Sequence, residues 1–252
     1  MELTQENYHS REMAKKYMSV SQFKTFRQCE KRAMAEINGE WERPLTDSLL
    51  VGLYVDEYFN GTLETFKIQH PEMFTQKGEL KAPFRKAQAI VERIEKDPYM
   101  RKQLGGKRQV IMTGFVGGVE WKIMIDSLHP RETVDGKVMK DCGDIYTSEG
   151  YEPFWKAYGY DTQGAIYRQV RAQNEKGKLK PFKLAVATKE EEPDIRIFRF
   201  SDQTLNNAMQ EVLQTVGRYD SIKKGEIEPV GCGECAYCRS IRKMSKDLVE
   251  EI

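Results

Sequence analysis

The sequence predicts an α/β fold in which a central mixed sheet is flanked by helices. The main observation is the order of the predicted elements, which runs helices, three strands, helix, two strands, helix. A second observation is size: 252 residues, of which 39% are hydrophobic and 31% charged, are enough to bury one large core. No internal repeat divides the chain, so we expect one domain over residues 19–252.

The first hundred residues are predicted to be mainly helical. Residues 1–18 are polar and we expect them to form a mobile arm. Ser19 and Gln22 have the spacing of a capping box, which indicates the start of a helix. Residues 62–80 contain turn signals and should be irregular. The three helices predicted from caps and apolar periodicity span 19–39, 46–59 and 82–96.

The middle of the chain is rich in apolar and β-branched residues, which favour strands. Gly117-Gly118 is a hairpin signal between the first two of them. A polar loop is predicted over 141–150 and is followed by a long helix, two more strands and a final helix. The predicted strands span 108–115, 119–126, 132–139, 182–188 and 194–200, and the two helices 152–173 and 201–219.

Composition limits the classes of function. The net charge of +1 gives no general basic field, so any contact with DNA must come from a local patch. No apolar run approaches the roughly 20 residues that span a bilayer. The first residues lack the apolar segment of a secretory signal. We therefore expect a cytoplasmic protein without a membrane partner.

Two carboxylates and a lysine are spaced to converge on neighbouring strands. Asp126 ends the second predicted strand, and Asp135 and Lys137 lie two residues apart on the third, so they point to one face. If these strands are neighbours, Asp126 reaches the same face. Such a group suits a divalent metal and an activated water, which is the chemistry of phosphodiester cleavage.

The acid-x-Lys spacing is a weak signal by itself, because a solvated surface ion pair explains most examples. It also occurs at Glu79/Lys81, in an irregular polar stretch, and at Glu120/Lys122, which shares a strand face with Asp126 and is a rival arrangement. The turn that separates Asp126 from Asp135 favours the third example.

In this context the sequence resembles the PD-(D/E)xK nuclease superfamily, and more narrowly its RecB-type branch, which includes RecE-like phage exonucleases. Gln163 and Tyr167 match the Gln-x-x-x-Tyr signature of that branch, and their spacing places them on one helical face. The segment that contains Gly52 and Asp56 matches an earlier Gly-x-x-x-His segment, with Asp56 where the branch usually has histidine.

The resemblance implies a metal-dependent DNA exonuclease of phage or prophage recombination, with the bacterial cytoplasm as its location. It implies DNA and a single-strand annealing protein as partners. Lys137 would orient the attacking water or offset phosphate charge, and the signature residues would position the DNA or the lysine. The implied ligands for Mg²⁺ or Mn²⁺ are Asp56, Asp126, Asp135 and the carbonyl of Val138. The implied catalytic residues are Asp126, Asp135, Lys137, Gln163 and Tyr167.

Three of the five cysteines have a spacing that indicates a second metal site. Cys232, Cys235 and Cys238 form a Cys-x2-Cys-x2-Cys segment, and Cys29 is the candidate fourth ligand. This set resembles RecB-type iron–sulfur nucleases, which implies a [4Fe–4S] cluster; Zn²⁺ or unmetallated thiols are the alternatives. The metal would join the two ends of the domain. Cys142 has no partner in this arrangement.

Two other function classes stay open from the sequence. One is a DNA-binding or assembly module that keeps the nuclease fold without catalysis. The other is an interaction domain stabilised by zinc. The sequence does not indicate the oligomeric state.

Overall fold

A computed structural model describes residues 2–244, and a five-stranded mixed sheet forms its centre. The predicted domain extends to residue 252, so residues 245–252 lie outside the described part. Along the sheet the strand order is β1-β2-β3-β6-β7, and all neighbours are antiparallel except β3 and β6. A separate hairpin consists of β4 and β5. The bounds are β1 Lys107–Val116, β2 Val119–Leu128, β3 Thr133–Met139, β4 Ile145–Thr147, β5 Gly150–Glu152, β6 Phe182–Thr188 and β7 Ile195–Arg199.

Helices cover both faces of the sheet. The long helix between β5 and β6 makes the crossover that the parallel pairing of β3 and β6 requires. In the described part no helix is long and apolar enough to span a membrane. The α-helices are α1 Arg11–Lys16, α2 Val20–Gln28, α3 Glu30–Asn38, α4 Asp47–Asn60, α5 Leu63–Gln69, α6 Ala82–Glu95, α7 Pro98–Leu104, α8 Phe154–Ala157, α9 Tyr160–Asn174, α10 Asp202–Lys223 and α11 Ala236–Ser240, and a 3₁₀ turn spans Pro71–Met73.

The core consists of two apolar clusters that the sheet separates. Alternation along β6 shows the division, because Leu184 and Val186 belong to one cluster while Ala185 and Ala187 belong to the other. The first cluster includes residues of α2, α9 and α10, and the second includes residues of α4 and α6. This layered α/β arrangement with a mixed central sheet confirms the predicted fold class.

Four predicted elements differ in detail. The helix expected over 19–39 is interrupted at Cys29, whose extended backbone ends α2 and begins α3. The helix expected from residue 152 begins properly only at Tyr160, since Gly159 adopts a left-handed conformation with φ 63°. Short elements replace the two regions expected to be irregular: α5 and the 3₁₀ turn lie within 62–80, and the β4–β5 hairpin lies near 141–150.

The expectation that residues 1–18 form a mobile arm is wrong for the structure described here. Four apolar side chains of this segment, Tyr8, Met13, Tyr17 and Met18, are buried. Met18 also pairs with β2, because its N–H donates to the Glu120 carbonyl and its carbonyl accepts from the Lys122 N–H, both at 2.9 Å. A polar average composition therefore concealed a segment that is fixed to the sheet. We refer to residues 2–18 as the N-terminal segment.

Candidate active site

The first two candidate carboxylates lie where strands β2 and β3 separate. The two strands pair only through Ser127↔Val134 and Leu128↔Thr133. Asp126 and Asp135 are the next residues along, beyond the last pair. Asp126 Oδ2 accepts a hydrogen bond from the Gly136 N–H at 3.1 Å, which ties the carboxylate to the other strand. The structure thus brings the two predicted aspartates together at the end of the shared ladder.

Asp135 is held by two side chains of different kinds. Gln163 Nε2 on α9 donates to Asp135 Oδ1 at 2.6 Å. Lys137 forms an ion pair with Oδ2 of the same carboxylate. Asp135 is 1% exposed, and in the described part Oδ2 accepts no well-formed hydrogen bond. One oxygen of the buried carboxylate therefore keeps capacity for a further electropositive partner.

The electrostatics of the cluster favour an added positive charge. Burial, together with the neighbouring Asp135 carboxylate, raises the pKa of Asp126 well above its ordinary value. Burial lowers the pKa of Lys137, but the Asp135 and Asp126 carboxylates more than offset this, so that the pKa is raised overall. The lysine is therefore held protonated by two acids that repel each other, and a cation bound beside them would relieve that repulsion.

Asp56 faces the same site from helix α4. It lines a cavity of about 300 Å³ together with Asp126, Lys137 and Val138. Arg108 Nη2 donates to Asp56 Oδ1 at 3.0 Å. Burial raises the pKa of Asp56. The structure therefore places Asp56 near the other two aspartates and pairs it with Arg108. Its role as a third metal ligand stays a prediction.

Gln163 and Tyr167 lie on one face of α9, and both line a cavity whose wall also contains Asp126 and Lys137. We expected them to contact the DNA strand or Lys137. Gln163 binds Asp135, as described above, and its contact with DNA stays a prediction. The Tyr167 hydroxyl donates to the Met124 carbonyl of β2 at 2.8 Å. Both residues thus fix the two strands that carry the carboxylates relative to α9.

The backbone of β3 contributes to the cavity wall. Gly136 and Val138 both line it. Along β3, backbone groups alternate between the two strand edges, so those of Gly136 and Val138 point to the same edge. That edge faces Asp126, as the hydrogen bond from Gly136 shows. The carbonyl of Val138 as a metal ligand stays a prediction, and Gly136 is a wall residue that sequence reasoning missed.

Four further residues of the site were not anticipated. Tyr8, Lys24, Lys122 and Tyr160 line a larger cavity, of about 940 Å³, which also contains Asp126, Lys137 and Gln163 in its wall. Lys137 Nζ lies 5.7 Å from the centroid of the Tyr160 ring. The only hint in the sequence was the acid-x-Lys match that contains Lys122, because tertiary contacts alone bring the other residues to the cavity.

The composition of this donor set fits a hard divalent cation. All candidate ligand atoms are oxygens, from carboxylates and backbone, and Mg²⁺ or Mn²⁺ binds such oxygens in preference to nitrogen or sulfur. The Lys137 ammonium already pairs with Asp135 Oδ2, yet the pKa of Asp126 is still raised, which indicates that the site is short of positive charge. The residues present therefore fit the metal that the sequence led us to expect.

The four predicted cysteine ligands form a second cluster, at the junction of the chain's two ends. Each offers a sulfur, and all four sulfurs lie within 4.8 Å of one another. Cys29 Sγ is 3.5 Å from Cys238 Sγ, which is 4.0 Å from Cys232 Sγ. The structure thus brings together the set Cys29, Cys232, Cys235 and Cys238, and it leaves out Cys142.

Backbone N–H groups point at these sulfurs. The N–H of Cys235 donates to Cys232 Sγ at 3.3 Å, and that of Cys238 donates to Cys235 Sγ at 3.4 Å. Hydrogen bonds from backbone N–H groups lower the pKa of Cys232 to about 6, whereas burial raises that of Cys238 to about 12. A metal needs thiolates, and the N–H donors stabilise that state for at least one sulfur.

Comparison with known proteins agrees with this geometry. Residues 19–241 match a family described as a PDDEXK-like domain of unknown function (DUF3799). The chain belongs to this family. The fold is therefore the PD-(D/E)xK fold, as the sequence resemblance implied.

One solved structure is similar over almost the whole length. It is the crystal structure of a protein named "putative exonuclease" from Eubacterium rectale, with 45% sequence identity and a TM-score of 0.93. The match covers 98% of this chain and 96% of the other. No curated protein matches the chain.

Proposed function

We propose that this protein is a metal-dependent deoxyribonuclease that hydrolyses phosphodiester bonds, and that it acts as an exonuclease. The observation that supports this most strongly is the convergence of Asp126 and Asp135, with Lys137 and Gln163 bound to Asp135, at the opening between β2 and β3. Family membership and the name of the similar crystal structure point the same way.

Asp126 and Asp135 would hold Mg²⁺ or Mn²⁺, with Asp56 and the carbonyl of Val138 as the further proposed ligands. When bound, the metal would lower the pKa of a water molecule and stabilise charge that develops on the phosphate. Arg108 already compensates part of the charge of Asp56. We therefore propose Asp126 and Asp135 as the principal ligands and Asp56 as an auxiliary one.

The remaining residues would position the groups of the site and neutralise charge on the phosphate. Lys137, protonated because of its two acidic neighbours, would donate hydrogen bonds to the scissile phosphate or orient the attacking water. Gln163 holds Asp135 in one orientation, so that the carboxylate is preorganised before substrate binds. Tyr160 contacts the ammonium of Lys137 through its ring and limits where that group can move.

Digestion of linear DNA tests this function. Purified protein should shorten end-labelled DNA in the presence of Mg²⁺ or Mn²⁺, and excess chelator should stop it. The Asp135→Ala variant should lose activity. A wild-type protein that binds DNA without cutting it under any divalent metal would support the competing reading, a non-catalytic DNA-binding or assembly module.

For the cysteine cluster we propose a single zinc ion in preference to an iron–sulfur cluster. A tetrahedral ion with Zn–S bonds of about 2.3 Å separates its sulfurs by about 3.8 Å. The sulfur distances of 3.5 and 4.0 Å, and the limit of 4.8 Å for all pairs, are close to that value. A [4Fe–4S] cluster holds its four thiolates further apart, because each binds a different iron. The spacing thus supports the alternative that the sequence resemblance placed second.

Metal analysis and visible absorption separate these cases. The proposal predicts about one zinc per chain after purification in metal-replete medium and no absorption band near 400 nm. A brown protein with four irons per chain, purified without oxygen, would restore the iron–sulfur assignment. A protein without either metal would exclude both, and with them the zinc-stabilised interaction domain as an alternative function.

The family resemblance also suggests a biological setting. We propose a role in phage or prophage recombination, in the bacterial cytoplasm, with a single-strand annealing protein as partner. The resemblance to RecE-like exonucleases supports it. Co-purification of this chain with an annealing protein encoded in the same genome tests the partnership, and its absence at micromolar concentrations would remove it.

A further inference from the structure

Two lysines in the wall of the larger cavity have no carboxylate partner among the described residues. Lys122 lies on β2 and is 4% exposed. Its ammonium group donates to the Tyr8 carbonyl and lies 4.6 Å from the centroid of the Tyr8 ring. Lys24 lies on α2, and its Nζ donates to the Tyr158 carbonyl at 2.9 Å and lies 5.3 Å from the Tyr160 ring centroid. Both groups therefore retain N–H donors that the protein does not use.

Other deeply buried cations of the described chain are compensated differently. Arg168 pairs with Asp202 at 2.7 Å, and Arg171 pairs with Glu175 at 3.0 Å. A buried ammonium without an anion is costly, and proteins ordinarily pair such a group. Lys122 is an exception to this pattern in residues 2–244, and it borders the cavity that contains the candidate catalytic residues. The missing anion is therefore expected to come from outside the chain.

The positions of the two lysines relative to the candidate metal ligands indicate what that anion is. Lys122 precedes Asp126 by four residues, so their Cα atoms lie about 13 Å apart along one face of β2. The ammonium groups of Lys24 and Lys137 both lie over the ring of Tyr160. The two lysines thus border the candidate cleavage site at different points. An anion with charges repeated along a chain, such as the DNA backbone, can reach both.

We propose that Lys24 and Lys122 bind DNA phosphates that flank the scissile one, so that the strand is held across the opening between β2 and β3. This inference rests on the proposed nuclease function and adds the residues that hold the strand. The aromatic rings of Tyr8 and Tyr160 beside the two ammonium groups resemble the aromatic and basic lining of grooves that bind single strands. The N-terminal segment contributes to this binding through Tyr8, which forms part of the same wall.

Salt dependence of binding tests the proposal. The probe is a fluorescent single-stranded oligonucleotide, titrated with protein in chelator at several KCl concentrations. The variants are Lys24→Gln and Lys122→Gln, because the glutamine amide can still donate to the backbone carbonyl while the charge is lost. Lys178→Gln is the matched control: Lys178 is exposed and follows the far end of α9, about 20 Å or more from Tyr160.

Each cavity variant should weaken binding several-fold and reduce the slope of log Kd against log salt by about 0.7, the value of one phosphate contact on a single strand. The control should keep the wild-type slope. Thermal unfolding of each variant shows whether the fold is retained. Wild-type slopes in both folded cavity variants would overturn the proposal while leaving the nuclease function intact. A wild-type protein that neither binds nor cuts DNA would overturn both.

Discussion

Asp126 and Asp135 should respond in opposite ways to the same chemical change, and this contrast tests the electrostatic description of the site. Asp126→Asn removes a buried carboxylate, and the pKa of this carboxylate is raised by burial and by the neighbouring Asp135. The amide oxygen of the asparagine can still accept the hydrogen bond from Gly136. Asp135→Asn removes the partner of Lys137 and places an amide NH₂ group beside an ammonium. The first variant should stabilise the metal-free protein, whereas the second should destabilise it.

The magnitudes follow from the contacts. Two carboxylates would repel by roughly 3 kcal/mol at a separation of about 5 Å and an effective dielectric constant near 20. Lys137 already offsets much of this repulsion, so we expect Asp126→Asn to gain about 1 kcal/mol. Breaking a buried ion pair from one side costs about 3 kcal/mol. For a chain of this size, 1 kcal/mol corresponds to roughly 2–4 °C in Tm.

Thermal unfolding in excess chelator measures both effects, and both variants should lose cleavage in the digestion assay. Asp126→Asn should unfold about 2–4 °C above the wild type, and Asp135→Asn roughly 6–12 °C below it. If Asp126→Asn lowers Tm as much as Asp135→Asn does, then Asp126 is a stabilising residue of the fold and the described repulsion is absent.

Three further variants test individual contacts. Gln163→Leu leaves Asp135 Oδ1 without its donor, so Tm should fall by an amount equivalent to about 1–3 kcal/mol. The kcat for cleavage should drop more than KM changes, and an unaltered kcat would show that Gln163 has no positioning role. Tyr167→Phe removes only the bond to the Met124 carbonyl, so it should cost about 1 kcal/mol in unfolding measurements and keep cleavage within a few-fold. Cys29→Ser should lose the bound metal and lower Tm by roughly 6–12 °C, whereas the control Cys142→Ser should change neither; equal effects of the two would remove the cluster assignment.

The arrangement of the strands that carry Asp126 and Asp135 could be predicted from the sequence because it depends on local periodicity. Alternation along a strand put Asp135 and Lys137 on one face, and the turn after Asp126 suggested that the second and third strands are neighbours. The structure agrees on both points. What no local pattern could show is that the ladder stops after Ser127↔Val134, and this separation of the strands opens the site.

Residues that depend on long-range packing could not be predicted. Lys24 reaches the cavity from α2, and Tyr8 reaches it from the N-terminal segment, more than a hundred residues before the candidate catalytic residues. Neither shows a distinctive spacing. The expected mobile arm was wrong for a related reason: Met18 is held by the edge of β2 that β3 leaves free, and a free strand edge is visible only in the folded sheet.

The cysteine cluster could be predicted from the sequence in part. The Cys-x2-Cys-x2-Cys segment predicted a metal site by its spacing, and the resemblance to nucleases with one N-terminal and three C-terminal cysteines indicated Cys29 as the fourth ligand. The break between α2 and α3 at Cys29 was not expected, yet it gives this sulfur its direction toward Cys238. The distances between sulfurs, which bear on the identity of the metal, required the structure.

The central claim is that Asp126 and Asp135 hold the catalytic metal. A crystal soaked in Mn²⁺ tests it most directly, because the anomalous signal locates the ion independently of activity. We expect a peak within about 2.5 Å of carboxylate oxygens of both residues, and the distance from that peak to Asp56 decides whether Asp56 is a third ligand. A peak bound elsewhere, or none at millimolar Mn²⁺, would contradict the account.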